Sequence, residues 1–177
     1  MYNLNGKVAL VTGAGGKLGI GRAIAVRLAR EGANLIVNDV TDNPYYTSDS
    51  DWKGILSVVE EVESLGSQAI PLVADVSNHE QVEEMVQRGV ECFGNIDILV
   101  NNAGSRPGRD RVLVVDLEEE AWDMVQKVNT KGTFICSQIV ARQMIKQDIG
   151  GKIINISSSA GKRGRAMFAA YCASKFA

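Results

Sequence analysis

The chain has little of what marks a metalloprotein, a secreted scaffold or a membrane protein. Among 177 residues there is one histidine, His79, and it sits between Asn78 and Glu80 where a helix is expected to start. That placement reads as surface, so histidine triads and His-ligated zinc are not expected, and no metal site is assigned. Cysteine is scarce and odd in number: Cys92, Cys136 and Cys172 are far apart and lack a second Cys or His at ligand spacing. They read as buried, small apolar residues of a reducing compartment. No run of about 18 apolar residues occurs, and Met1 to Lys7 is not a basic stretch leading into an apolar one. The expected setting is cytoplasmic, with no membrane partner. Nor is there an excess of positive charge: 19 basic side chains face 21 acidic ones, a formal net charge of -2. Nothing in that balance attracts nucleic acid, and no such partner is expected.

What is present is a hydrophobic fraction of 45% with 18 glycines, enough for one globular domain spanning 1–177 without disulfide or metal staples. Short β-rich runs alternate with segments of helical period. Strands are expected at Lys7–Thr12, Asn34–Asp39, Ala69–Ala74, Ile96–Val100 and Lys152–Ile156. Between them fall helices at Ile20–Glu31, from Trp52 to Leu65, and from a Ser77/Glu80 capping box to Phe93. Another runs from an Asp116/Glu119 cap through Trp122, Val125 and Val128, with a bend near Gly132. The pattern predicts an α/β fold, a Rossmann-type doubly wound parallel sheet covered by helices on both faces. It stops after strand five and the start of a helix near Phe168, which is expected to reflect truncation.

Strand one enters a glycine cluster, Thr12-Gly13-Ala14-Gly15-Gly16-Lys17-Leu18-Gly19-Ile20-Gly21, that opens a helix. Glycines let the backbone approach a pyrophosphate, and free N–H groups at a helix start stabilise its charge. The strict G-x-G-x-x-G spacing fails, and no G-K-[ST] follows Lys17, so ATP is disfavoured. Asp39 ends strand two, where a carboxylate can accept both ribose hydroxyls and repel a 2′-phosphate; a turn cap is the other reading of the same residue. This favours NAD, with NADP the lesser alternative. After strand four, Asn101-Asn102-Ala103-Gly104 lies across the sheet's switch point from the glycine turn if the strand order is 3-2-1-4-5. Tyr171 and Lys175 are one helical turn apart, so an ammonium can stabilise a phenolate on the same face. Ser157, Ser158 and Ser159 end strand five, where hydroxyls can reach a substrate oxygen.

In this order the motifs resemble the classical short-chain dehydrogenase/reductase family along essentially the whole chain. The resemblance aligns the family's glycine motif with Thr12, Gly13, Gly19, Ile20 and Gly21. It makes Asp75 with Val76 the adenine-pocket pair and Asn101 to Gly104 the family's NNAG motif. It implies a catalytic tetrad of Asn129, Ser158, Tyr171 and Lys175. The implied activity is an oxidoreductase moving a hydride between NAD(H) and an alcohol or ketone. In it Tyr171 is the general acid/base, Ser158 holds the substrate oxygen, Lys175 binds the nicotinamide ribose and Asn129 positions a water. The family also implies a homo-oligomer, dimer or tetramer.

Two departures bear on this. Five residues separate Gly13 from Gly19 where the family has three, and the stretch also fits the Thr-Gly-x-x-Gly-x-x-Gly turn of extended-type epimerases and dehydratases. Family members also continue past the Tyr-Lys helix, so a catalytically silent dinucleotide-binding or oligomerisation module is an alternative. Finally, Arg106, Arg109 and Arg111 follow NNAG, and Lys162, Arg163 and Arg165 follow strand five, with only Asp110 opposing them. Both loops are expected to border the site and to suit an anionic or carrier-linked substrate. The polar stretch Thr41 to Asp51, with Tyr45 and Tyr46, is long for a β-to-α connection and has no assigned role.

Overall fold

The computed structural model describes residues 3–44 and 51–177. Tyr45 and Tyr46 lie outside the described residues. Five strands form one parallel sheet: β1 (Val8–Val11), β2 (Asn34–Asp39), β3 (Ala69–Val73), β4 (Ile98–Asn101) and β5 (Lys152–Asn155), in the order β3-β2-β1-β4-β5. This is the expected doubly wound arrangement, with the order reversing beside β1. A central parallel strand is covered on both faces and so must be apolar throughout. β1 meets that condition, all four of its residues being buried.

Helices cover the two faces. On one, α1 (Ile20–Arg30) and α2 (Ile55–Ser64) press Ala25, Ala29, Val58 and Val62 onto Ala9, Val11, Leu35 and Val37. On the other, α3 (His79–Phe93) and α5 (Thr133–Gln147) cover Leu10, Ile36 and Leu99 with Val82, Met85, Ile135, Cys136 and Val140. Each fully buried Leu or Ile in these layers contributes about 1.5–3 kcal/mol. Before α5 comes α4 (Glu119–Gln126), and a single wide turn at Lys127–Gly132 joins them. The bend expected near Gly132 is therefore a π turn, a feature common at functional sites. Last comes α6 (Ala169–Phe176).

Local details differ from the sequence expectations for tertiary reasons. Ser77 does not cap α3, because its hydroxyl donates to Asp75 Oδ1 at 2.7 Å; Asn78 caps instead, its side chain accepting from the Gln81 N–H at 3.2 Å. Asp116 does not cap α4 either. It closes a short 3-10 turn at Val114–Asp116, and Glu118 precedes α4 without a side-chain cap. β4 begins at Ile98 rather than Ile96, since the Ile96 N–H and C=O are taken by the Gln147 amide and the Asp97 carboxylate by Lys7 and the Val8 N–H. Cys136 and Cys172 are buried as expected, and burial pushes the Cys136 thiol up to about 12. Cys92, on α3, is exposed, so it is no core residue. No helix among the described residues is long and apolar enough to cross a membrane, and no group of three or more His, Cys, Asp or Glu there could hold a metal.

Candidate active site

At the carboxyl ends of the strands, Thr12 joins the two loops that flank the switch point. Its hydroxyl donates to Val100 O at 3.3 Å and accepts from the Asn102 and Ala103 N–H groups, both at 3.1 Å. Asn102 Nδ2 returns two bonds, to Thr12 O and Gly13 O, both at 2.9 Å. Gly13 has φ +64°, and a Cβ there would lie 2.6 Å from Ala103 Cα. A Cβ on Gly21 would lie 2.6 Å from Asn102 Nδ2 and 2.7 Å from Gly13 O. These glycines let one chain segment pack against another. Asn102 thus works as a tie between loops, a role its place in a turn-like tetrapeptide did not reveal.

Residues 16–19 form their own turn, closed by the Gly19 N–H to Gly16 O bond at 2.9 Å, with Leu18 95% exposed at its tip. Gly19 then leads into α1 in extended backbone with no side-chain cap and no acidic residue in the first turn. A helix start left without a cap keeps its N–H groups open to an anion. The residues here fit the pyrophosphate of a dinucleotide.

Asp39 is 8% exposed. Its Oδ2 accepts from the Gly15 N–H and its Oδ1 from the Val40 N–H, both at 2.8 Å. Burial raises its carboxyl above the ordinary value, opposed by those two N–H groups and by the Arg106 charge. The cap reading is met, and each carboxylate oxygen keeps a second lone pair. Asp75 is half-buried with Oδ1 held by the Ser77 N–H and hydroxyl, and Val76 beside it is buried against Gly132.

Further along the sheet edge the expected tetrad gathers on β5, α6 and the π turn. Asn129, buried in that turn, accepts from the Ser105 N–H at 2.7 Å and donates to Ser174 Oγ at 2.9 Å. Ser174 in turn donates to Tyr171 O at 2.8 Å. Asn129 so fastens the NNAG loop to α6, and both polar ends of its side chain are engaged in doing it. Ser174 and Ser105 were not found from the sequence; the only signal was a serine one turn after Tyr171.

Lys175 Nζ donates to Ile156 O at 2.9 Å and lies 5.9 Å from the Tyr171 ring centroid. Burial lowers the Lys175 ammonium below its ordinary value. Ser158 and Tyr171 line one pocket of about 340 Å³ together with Ser159, Arg163, Arg165 and Phe168. Ser158 Oγ accepts from the Ala160 N–H at 3.2 Å and retains its own proton for donation.

The two basic loops differ, which corrects the expectation of six charges opposed by Asp110 alone. Arg109 pairs with Glu118 and Glu120, and Arg111 lies 2.8 Å from Asp110 while stacking over Phe168 and Tyr171 at 4.1 and 4.5 Å. Arg106 acts on Asp39. By contrast, no carboxylate among the described residues pairs with Lys162, Arg163 or Arg165.

Residues 7–177 match the family model described as short chain dehydrogenase. A 3-oxoacyl-(acyl-carrier-protein) reductase of Thermotoga maritima is 41% identical over 172 residues, covering 97% of this chain and 63% of that protein. A 2-dehydro-3-deoxy-D-gluconate 5-dehydrogenase of Dickeya dadantii is 39% identical over 176 residues, covering 99% of this chain and 62% of its own length. Among solved structures, an NAD+-bound xylitol dehydrogenase superposes with a TM-score of 0.86 at 37% identity, over 98% of this chain and 61% of that one. The chain thus spans about three fifths of the length of these relatives.

Proposed function

This chain belongs to the short-chain dehydrogenase family, and from that premise we infer that its site is built to interconvert an alcohol and a ketone with NAD(H). The observation that carries the reading is the shared pocket of Ser158 and Tyr171, with the Lys175 ammonium beside the tyrosine ring. The nicotinamide nucleotide, when bound, takes up or releases the hydride. The uncapped start of α1 would hold its pyrophosphate, and Asp39 its adenosine ribose, with preference for NAD over NADP because a 2′-phosphate would meet a buried carboxylate.

The protein's own part is proton transfer and orientation. In the oxidising direction the substrate hydroxyl gives its proton to the Tyr171 phenolate as the hydride leaves the same carbon, and the carbon–oxygen bond becomes a carbonyl. Ser158 Oγ donates a hydrogen bond to that oxygen throughout. Lys175 places positive charge beside the ring that starts this direction as a phenolate, and its bond to Ile156 O fixes the ammonium there. Asn129 acts one step away, by holding α6 and the NNAG loop in register. A homo-oligomer, dimer or tetramer, is part of the same reading, and sedimentation of the purified chain tests it.

Tyr171→Phe tests the central assignment, read by the absorbance of reduced nicotinamide with a panel of secondary alcohols and ketones. The expected loss is about 10²–10⁴-fold, the range for an acid/base group. A loss below about tenfold would remove Tyr171 from that role. Fluorescence titration with NADH and NADPH tests the cofactor separately, and tighter binding of NADPH would overturn the role given to Asp39.

A further inference from the structure

Basic side chains near a site attract an anion only when no carboxylate already neutralises them, and that condition separates the two loops here. The arginines after NNAG are engaged by Glu118, Glu120, Asp110 and Asp39. Arg163 and Arg165 have no such partner among the described residues, and both line the pocket that holds Ser158 and Tyr171.

Their placement is built into the fold. The Arg163 N–H donates to Ser159 O at 3.2 Å, its carbonyl faces the buried Cys172 thiol at 4.0 Å, and the Phe168 N–H donates to Arg165 O at 3.2 Å. The Arg165 guanidinium stacks 4.3 Å from the Phe168 ring, which limits its rotamers and leaves its N–H edge for a planar anion. Between them, Met167 takes φ +62°, a left-handed backbone disfavoured for a side chain of its size. Such strain persists where the surroundings hold it, and Phe168, the next residue, lines the pocket with both arginines.

The geometry points to a substrate that carries an anionic group, a carboxylate or a phosphate ester, a few bonds from the reacting carbon, bound by Arg163 and Arg165. At about 340 Å³ the pocket has room for a short hydroxy or keto acid or a small sugar phosphate. This rests on the redox reading for where the reacting carbon sits. The anion site itself can be read without turnover.

The experiment is calorimetric or ligand-observed NMR titration of the full chain, with NAD+ present so that no turnover occurs, using acetoacetate, dihydroxyacetone phosphate and the neutral 2-pentanone as probes. The two anions should bind at least tenfold more tightly than 2-pentanone, and whichever binds more tightly identifies the anion as carboxylate or phosphate. The double variant Arg163→Glu/Arg165→Glu should lower anion affinity at least tenfold relative to 2-pentanone. Lys146→Glu on α5, with half that change in charge and outside the lining of this pocket, should leave the ratio unchanged. If the double variant does not fold, the same preference is read on the wild-type chain by raising salt from about 20 to 500 mM, which should weaken the anions and spare the ketone. Equal affinity for charged and neutral probes, or an equal fall in Lys146→Glu, overturns the proposal. Anion binding without any oxidation of the corresponding alcohols would instead sink the redox reading and leave the anion site standing.

Discussion

The middle of the sheet and its β5 edge are built differently. β1 and β2 are buried on both faces, and their loops are tied together by Thr12, Asn102 and the close approach of Gly13 and Gly21. β5 is exposed along all four residues, with Ile153 and Ile154 open to solvent, and the candidate site residues Ser158, Tyr171 and Lys175 follow it in the serine loop and α6. The middle of the sheet is thus held by packing, whereas the segments beyond β5 add polar bonds to the buried Ala160, Ala170 and Cys172: Asn129 to Ser105 and Ser174, and Lys175 to Ile156. In this chain, which spans about three fifths of the length of its relatives, the candidate site thus borders the more exposed edge of the sheet.

Mutations that treat the two halves alike would break this comparison. The largest effect is expected at Ile36→Ala, because Ile36 is fully buried between β2 and α3, and chemical denaturation should show about 2–5 kcal/mol of lost stability. Next is Lys175→Met, expected to cut turnover about 10²-fold while the denaturation midpoint moves little; a large stability loss with unchanged kcat would make the lysine structural. That variant also carries a pH signature. Burial lowers the ammonium, so between its lowered value and the ordinary lysine value the unfolded chain binds more protons and wild-type stability rises with pH. Lys175→Met should flatten that rise, measured as the difference between the two denaturation curves.

Smaller effects sharpen the picture at the switch point. Thr12→Val keeps the shape but strands the Asn102 and Ala103 N–H groups, and Gly21→Ala drives a methyl into Asn102. Each should cost about 1–3 kcal/mol by thermal or urea unfolding, with weakened NADH binding as a second readout. The smallest change belongs to the edge. Ile154→Ala, at 46% exposure, should cost under about 1 kcal/mol in this chain, and a loss like that of Ile36→Ala would show that β5 is packed after all.

Much of this was legible in the order of residues. The continuous apolar run at Val8–Val11 and the apolar core Leu35–Val37 of Asn34–Asp39 announce buried parallel strands, and three-to-four spacing places the helices, because burial of one face is a local pattern. The tetrad was legible only as a motif, since a Tyr-Lys pair four apart is a weak sign by itself. Caps were misplaced where two acceptors competed: Ser77 went to Asp75, and Asn78 took the helix. That choice depends on which partner the folded chain brings close.

Residue order by itself determined the strand and helix sequence, and the presence of Tyr171, Lys175, Ser158 and Asn129 in a chain of this family. Tertiary structure alone decided that Asn102 ties two loops, that Asp39 is both cap and ribose candidate, and that Arg109 and Arg111 are neutralised while Arg163 and Arg165 are not. The reason is physical: periodicity is read over a few residues of contour, but a hydrogen bond or an ion pair is settled by distance in space, and Thr12 meets Asn102 only after the sheet has formed.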